Sequence, residues 1–163
     1  MQVGASQHEI RTGLYTDAQR QRRDSSPWTM VQAILAPLQF LVFLVSLGLV
    51  LRTLLTGEGA ALANASIILK TALLYTIMVT GSLWEKDVFG KYLFAPAFFW
   101  EDVVSFGVIA LHTAYLVCLL TGWLNETGLL LLALVAYAAY VTNAAQFLLK
   151  LRAARLQTAG AAS

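Results

Sequence analysis

Four long apolar stretches constrain this chain more than any other feature. Residues 28–51 and 128–149 hold no charged side chain, 60–83 holds one, Lys70, and 97–120 holds Glu101 and Asp102 at its start and His112 near its middle. Each exceeds the roughly 20 helical residues needed to cross a hydrocarbon core of about 30 Å. None alternates with a period of two, and an open sheet leaves unsatisfied edges in lipid, so the spans read as helices. The expected fold is therefore all-α, an integral membrane bundle of four transmembrane helices. Composition agrees: 12% of residues are charged, where a soluble domain carries about 25%. That scarcity excludes a water-soluble globule and a disordered chain. A net charge of +2 without a basic stripe excludes a nucleic-acid partner.

The organisation follows from the charges. Residues 1–27 read as a polar N-terminal tail, 28–151 as the transmembrane domain with helices at 28–51, 60–83, 97–120 and 128–149, and 152–163 as a C-terminal tail. The tail has no basic start leading into a short apolar core, so no secretory signal is expected. Nine of the eleven Lys and Arg residues (Arg11, Arg20, Arg22, Arg23, Lys86, Lys91, Lys150, Arg152 and Arg155) fall in the two tails, the middle connection 84–96 and the end of the last helix. The positive-inside rule then places both termini in the cytoplasm.

With that orientation the polar residues inside the spans, Gln39, Asn143 and Gln146 among them, gather in the cytoplasmic half, and the outer half reads as mostly aliphatic. Glu101 and His112 stand on nearly one face of the third helix, about 16 Å apart along its axis, with Ser105 and Tyr115 near the same stripe. Asp102 lies about a quarter turn away. Ionisable groups in membrane helices usually face a cavity or a partner. The simpler readings stand beside this one. Asp102 suits a helix N-terminus through the macrodipole. His112 is equally a core histidine bonded to a neighbouring helix, and Asn143 and Gln146 are equally interhelical glue. Lys70 is expected to snorkel or to pair within the bundle. The four Trp residues read as an interfacial belt. Ala133, Ala136 and Ala144 form a small-residue face that permits helix association.

Several chemistries find no support. Only His8 accompanies His112, and His8 lies in the tail, so a bis-histidine haem is excluded. The single cysteine, Cys118, precludes a CxxC motif or an internal disulfide. HExxH, GxGxxG, P-loop and GxSxG patterns are missing from the sequence. Acid–base chemistry, ligand binding and scaffolding remain.

Five segments carry a resemblance: SPWT at 26–29, LAPLQFLVFLVSL at 35–47, MVTGSLWEKDVFGKYLFAPAFFWEDV at 78–103, ALHTAYL at 110–116 and NAAQFLLKLRAARL at 143–156. Together they resemble the 3-vinyl (older naming 2-vinyl) bacteriochlorophyllide hydratase family of bacteriochlorophyll biosynthesis. The resemblance implies a hydro-lyase that adds water to the ring A vinyl group of chlorophyllide a, giving a 1-hydroxyethyl group. It also implies a photosynthetic bacterium's cytoplasmic or intracytoplasmic membrane and no cofactor, the magnesium belonging to the substrate. Partners are then the tetrapyrrole, water and lipid, with self-association or other pigment-biosynthesis enzymes beside them. On this reading Glu101 is the expected proton donor and Asp102 its reserve. Glu85 or Asp87 from the middle connection would position water. Phe99, Trp100 and Tyr115 offer flat surfaces, His112 a ligand for the substrate magnesium or a bond to a ring carbonyl, and Gln39, Asn143 and Gln146 polar contacts. The alternative of another class is a non-catalytic tetrapyrrole-binding or assembly subunit, and a purely structural bundle partner is a third.

Overall fold

The computed structural model describes residues 13–161, and Arg11 and His8 lie outside them. Five helices follow in order: α1 (Asp17–Ser25), α2 (Pro27–Thr56), α3 (Ala60–Phe89), α4 (Phe99–Thr121) and α5 (Glu126–Ala161). The last four are long and apolar enough to cross a membrane. α2 and α3 form one hairpin and α4 and α5 a second, and α2–α5 and α3–α4 contacts close the bundle. Two cross-links near one end fix the first hairpin as antiparallel: Trp84 Nε1 donates to Thr29 Oγ1 at 3.0 Å and Gln32 Nε2 to Thr80 Oγ1 at 2.7 Å. One end of the bundle therefore carries α1, the 90–98 connection and the C-terminal part of α5. The opposite end carries the two short turns.

Local chemistry sets the boundaries. The turn between α2 and α3 is short because Gly57 and Gly59 both adopt positive φ, 72° and 90°, which costs glycine little. Ser26 caps α2, its hydroxyl accepting from the Trp28 amide, and Pro27 occupies the first turn, where its missing N–H is not needed.

The helices run longer than the apolar stretches. α3 continues six residues past the expected 83, because Trp84–Phe89 are compatible with helix until Gly90 ends it. The expected 84–96 connection thus shrinks, and Glu85 becomes a helical residue. α5 runs through most of the expected 152–163 tail, which is rich in Ala, Leu and Arg. The polar N-terminal tail contains α1, started by a capping box in which Thr16 and Gln19 bond each other's backbone. Its T-x-x-Q signature is visible in the sequence.

The outside of the four long helices is apolar. Leu55, Leu120 and Trp123 are more than 80% exposed, and every long helix presents further large aliphatic or aromatic side chains. Water would penalise such a surface, and lipid does not. The interior packs Phe43, Val50, Ile67, Val108, Tyr115, Leu130 and Tyr137. Ala133 and Ala136 are buried there too, and Ala144 packs partly buried against the same core. This small-residue face lets α5 approach its neighbours within the bundle.

The mostly aliphatic half toward the short turns also holds a few paired polar groups. Near the short-turn end Ser46 Oγ lies 2.7 Å from Ser66 Oγ and 2.5 Å from the Tyr137 hydroxyl, and Tyr115 donates to Asn64 Oδ1 at 2.5 Å. Hydroxyls scattered among leucines leave little trace in a hydropathy pattern, yet each finds a partner because lipid supplies none.

Candidate active site

The end of the bundle that carries α1 and the C-terminal part of α5 holds a pair of buried carboxyls. Glu85 reaches it from the last turns of α3 and Asp102 from the first turn of α4, and both side chains are buried. Their carboxyl groups are hydrogen-bonding neighbours. The 90–98 connection folds over them. Phe94 N–H donates to Asp102 Oδ2 at 2.8 Å and Ala95 N–H to Glu85 Oε2 at 3.2 Å. Successive amides thus serve the two acids, as in the backbone nests that bind anions. Phe94 has φ of 59°, the left-handed region that side chains avoid at a cost of about 1–2 kcal/mol. The two amide contacts lie at this strained turn.

Above the pair is an aromatic surface. The Phe94 ring stacks on Phe106 at 5.4 Å with 12° between planes and packs on Phe99 at 5.6 Å. All three remain about two-fifths exposed. Trp100 lies edge-on to Phe99 at 5.4 Å and is mostly exposed.

Glu101 lies in a second arrangement beside the first. Lys150 Nζ pairs with Glu101 Oε2 at 2.8 Å and also donates to the Ala97 carbonyl. Asn143 Nδ2 donates to the Glu101 carbonyl at 2.9 Å, and Ser105 Oγ lies 3.0 Å from Asn143 Oδ1. Gln146 makes a long contact of 3.5 Å to Asn143. These bonds tie α4 to α5 and hold the first turn of α4, and hence Asp102, in place.

The remaining expected residues lie elsewhere. Asp87 is exposed and accepts from Ser26 Oγ at 2.7 Å, so it ties α3 to the start of α2 and stands apart from the carboxyl pair. Tyr115 is buried near the short-turn end. His112 is fully buried and Gln39 nearly so, both inside the bundle. Lys70 does not snorkel: it is fully buried, with Nζ 3.5 Å from the centroid of the Tyr140 ring.

Sequence reasoning missed Phe94, Ala95 and Lys150. Lys150 was legible, since it ends the last apolar stretch at the level where Glu101 begins the third. The two amides were not, because nothing in the letters FAPAF fixes where their N–H groups point.

Together the fold and site define a four-helix membrane protein that buries a carboxyl pair beside an aromatic surface at one end. Residues 15–153 match the family described as 2-vinyl bacteriochlorophyllide hydratase, and the chain belongs to that family. It is 67% identical over 153 residues to the 2-vinyl bacteriochlorophyllide hydratase of Rhodobacter capsulatus, covering 94% of this chain and 89% of the relative. It is 71% identical over 144 residues to the enzyme of the same name from Cereibacter sphaeroides, covering 88% and 89%. No solved structure matches the chain. The chain is a hydratase, a hydro-lyase of bacteriochlorophyll biosynthesis.

Proposed function

We propose that the Glu85–Asp102 pair adds water across the ring A vinyl group of a chlorophyllide, with the macrocycle lying on the Phe94, Phe99 and Phe106 surface. One observation carries this reading: Phe94 belongs to both parts, its ring in the aromatic surface and its amide on Asp102.

Hydration needs an acid for the terminal vinyl carbon and a base for the incoming water. Two carboxyls in contact share one proton, since both cannot ionise side by side without cost. The protonated member gives its proton to the terminal CH2, leaving a cation on the carbon attached to the ring, where the macrocycle spreads the charge. The ionised member takes a proton from water as the oxygen attacks that carbon. The pair thus ends as it began, with one proton between its members. The Phe94 and Ala95 amides stabilise whichever carboxylate bears the charge. The addition is redox-neutral, so neither electrons nor a protein-bound cofactor is required, and magnesium enters only as part of the substrate.

Glu101, the donor expected from its depth, is held by Lys150 as the anionic half of an ion pair, and the donor role passes to Asp102 and Glu85. Glu101 and Asn143 then position α4. Trp100 borders the aromatic surface at the interface, with Gln146 behind Asn143. His112, fully buried, has no surface for a macrocycle's magnesium, and Tyr115 and Gln39 are likewise interior groups.

The clustering of Lys and Arg at this end of the bundle supports a cytoplasmic location for it by the positive-inside rule. The membrane is then the cytoplasmic or intracytoplasmic photosynthetic membrane, where the pigment's other biosynthetic enzymes are the expected neighbours.

The test is direct. Membranes holding wild type, Glu85→Gln, Asp102→Asn or Glu101→Gln are incubated with chlorophyllide a, and product heavier by one water is measured. Loss of product in the first two variants with at least partial retention in the third supports the assignment. Wild-type rates in either Glu85→Gln or Asp102→Asn sink it.

A further inference from the structure

The first residue of α4 differs in kind from those that open α1 and α2. Thr16 and Ser26 cap those helices, their hydroxyls accepting from first-turn amides. α4 begins at Phe98, whose side chain offers its first turn no acceptor. Phenylalanine forgoes the stabilisation that Ser, Thr, Asp or Asn supplies at this position, so helix initiation does not account for the ring. The ring is 1% exposed. It lies edge-on to Trp84 at 5.6 Å and to Phe89 at 5.8 Å, both in the last turns of α3, and stacks on Phe147 of α5 at 5.7 Å. Lys150 Nζ stands 5.4 Å from its centroid. Phe89 in turn stacks on Tyr15, just ahead of α1.

The backbone of the same residue runs through the carboxyl site. Phe98 N–H donates to the Ala95 carbonyl at 2.9 Å, and the Phe98 carbonyl accepts from the Asp102 N–H at 3.0 Å. Ala95 is the residue whose own N–H reaches Glu85. Trp84, against the ring, immediately precedes Glu85. Phe98 thus joins an amide donor of the site, the peptide of one acid and the chain neighbour of the other. The turn it closes includes Phe94 at a φ of 59°, a conformation that persists only where its surroundings impose it.

We propose that Phe98 is a positioning residue for the hydration. Its buried ring locks the 94–98 turn against α3 and α5, which keeps the Phe94 and Ala95 amides on the carboxyls and Asp102 beside Glu85. This rests on the reading of Glu85 and Asp102 as the reacting acids. Close-packed rings hold a defined geometry, and a displacement of about 1 Å at the reacting groups costs up to roughly 10²-fold in rate. Alanine at this position leaves a cavity into which the turn relaxes, whereas leucine fills much of the space without the ring stacking.

Amide exchange and hydration kinetics of the full chain in lipid nanodiscs test this. Phe43→Ala is the matched loss of a buried ring elsewhere in the bundle, where Phe43 packs on Tyr137 and Tyr140. In Phe98→Ala the Phe94 and Ala95 amides should exchange about tenfold faster than in wild type. Its kcat per folded molecule should fall by about 10–10²-fold. KM for chlorophyllide a should change far less, because the Phe94 ring keeps its stack on Phe106. Phe43→Ala should leave exchange and kcat per folded molecule within about twofold of wild type. Phe98→Leu should fall between wild type and Phe98→Ala on both readouts, and it carries the comparison if the alanine variant does not fold. Wild-type exchange at Phe94 and Ala95 in the Phe98 variants overturns the proposal. So does faster exchange with an unchanged kcat, or an equal loss of kcat in Phe43→Ala. Wild-type hydration by Glu85→Gln or Asp102→Asn is a separate failure, that of the acids, because the exchange measurement involves no substrate.

Discussion

The two ends of the bundle solve the same problem, polar groups in a lipid environment, with different means. Toward the short turns the solution is neutral: Ser46, Ser66 and Tyr137 share hydroxyls, and Tyr115 bonds Asn64. At the other end it is ionic. Lys150 meets Glu101, and a strained connection delivers two amides to Glu85 and Asp102. Hydroxyl networks of the first kind hold helices together. Assembling two acids, a cation and a positive-φ residue is more than helix association requires, and such strain concentrates where a protein does chemistry. If this contrast is correct, substitutions at the carboxyl end should damage activity more than stability, and substitutions at the short-turn end should do the reverse.

The largest effect is expected at the acids. Asp102→Asn should lower the hydration rate by about 10²–10⁴, the range of general acid–base catalysis, while the folded fraction in detergent stays near wild type. Glu85→Gln should do the same. The double variant should be little worse than either single one, because groups that act as a unit are not additive. Rates that multiply in the double variant would show that the acids work separately.

Phe94 gives a sharper test because its backbone and ring make opposite demands. Phe94→Gly and Phe94→Ala remove the same aromatic surface, so both should raise KM for the tetrapyrrole. Glycine adopts positive φ freely, so Phe94→Gly should be the more stable of the two by about 1 kcal/mol. Equal KM values for wild type and both variants would detach the ring from the substrate.

Lys150→Met should act on both scales. It leaves the buried Glu101 carboxylate without its cation, at a cost of about 2 kcal/mol in stability, and it loosens the turn that carries Asp102. Adding Glu101→Gln should recover much of the stability by removing the orphaned charge. A double variant as unstable as Lys150→Met would mean that the lysine acts through Ala97 and the loop instead of through the ion pair.

How much of this was legible beforehand differs between the same regions. The four spans follow from hydropathy alone, because length and apolarity are properties of a segment by itself. Glu101, Asp102 and Glu85 were visible as rare acids at the membrane's edge. Which two of them meet was not. That depends on α3 running on to Phe89 and on a turn whose amide directions no residue type encodes. Glu101 stood out by depth, yet the cation that occupies it comes from a residue 49 positions away. The Ser46–Ser66–Tyr137 network was missed for a related reason: a serine in a leucine-rich span carries no information about the helix it will face.

The smallest predicted effect lies in that network. Ser46→Ala removes a hydroxyl that lies 2.5 Å from Tyr137 and 2.7 Å from Ser66. Side-chain hydrogen bonds in membrane proteins average about 0.6 kcal/mol. Ser66 retains its bond to the Ala63 carbonyl at 2.7 Å, so only the Tyr137 hydroxyl loses its partner. The variant should therefore lose about 1 kcal/mol in a detergent-unfolding titration, with its hydration rate unchanged. A rate loss comparable to that of Asp102→Asn would dissolve the division between the two ends, because it would place the neutral network in the reaction as firmly as the acids.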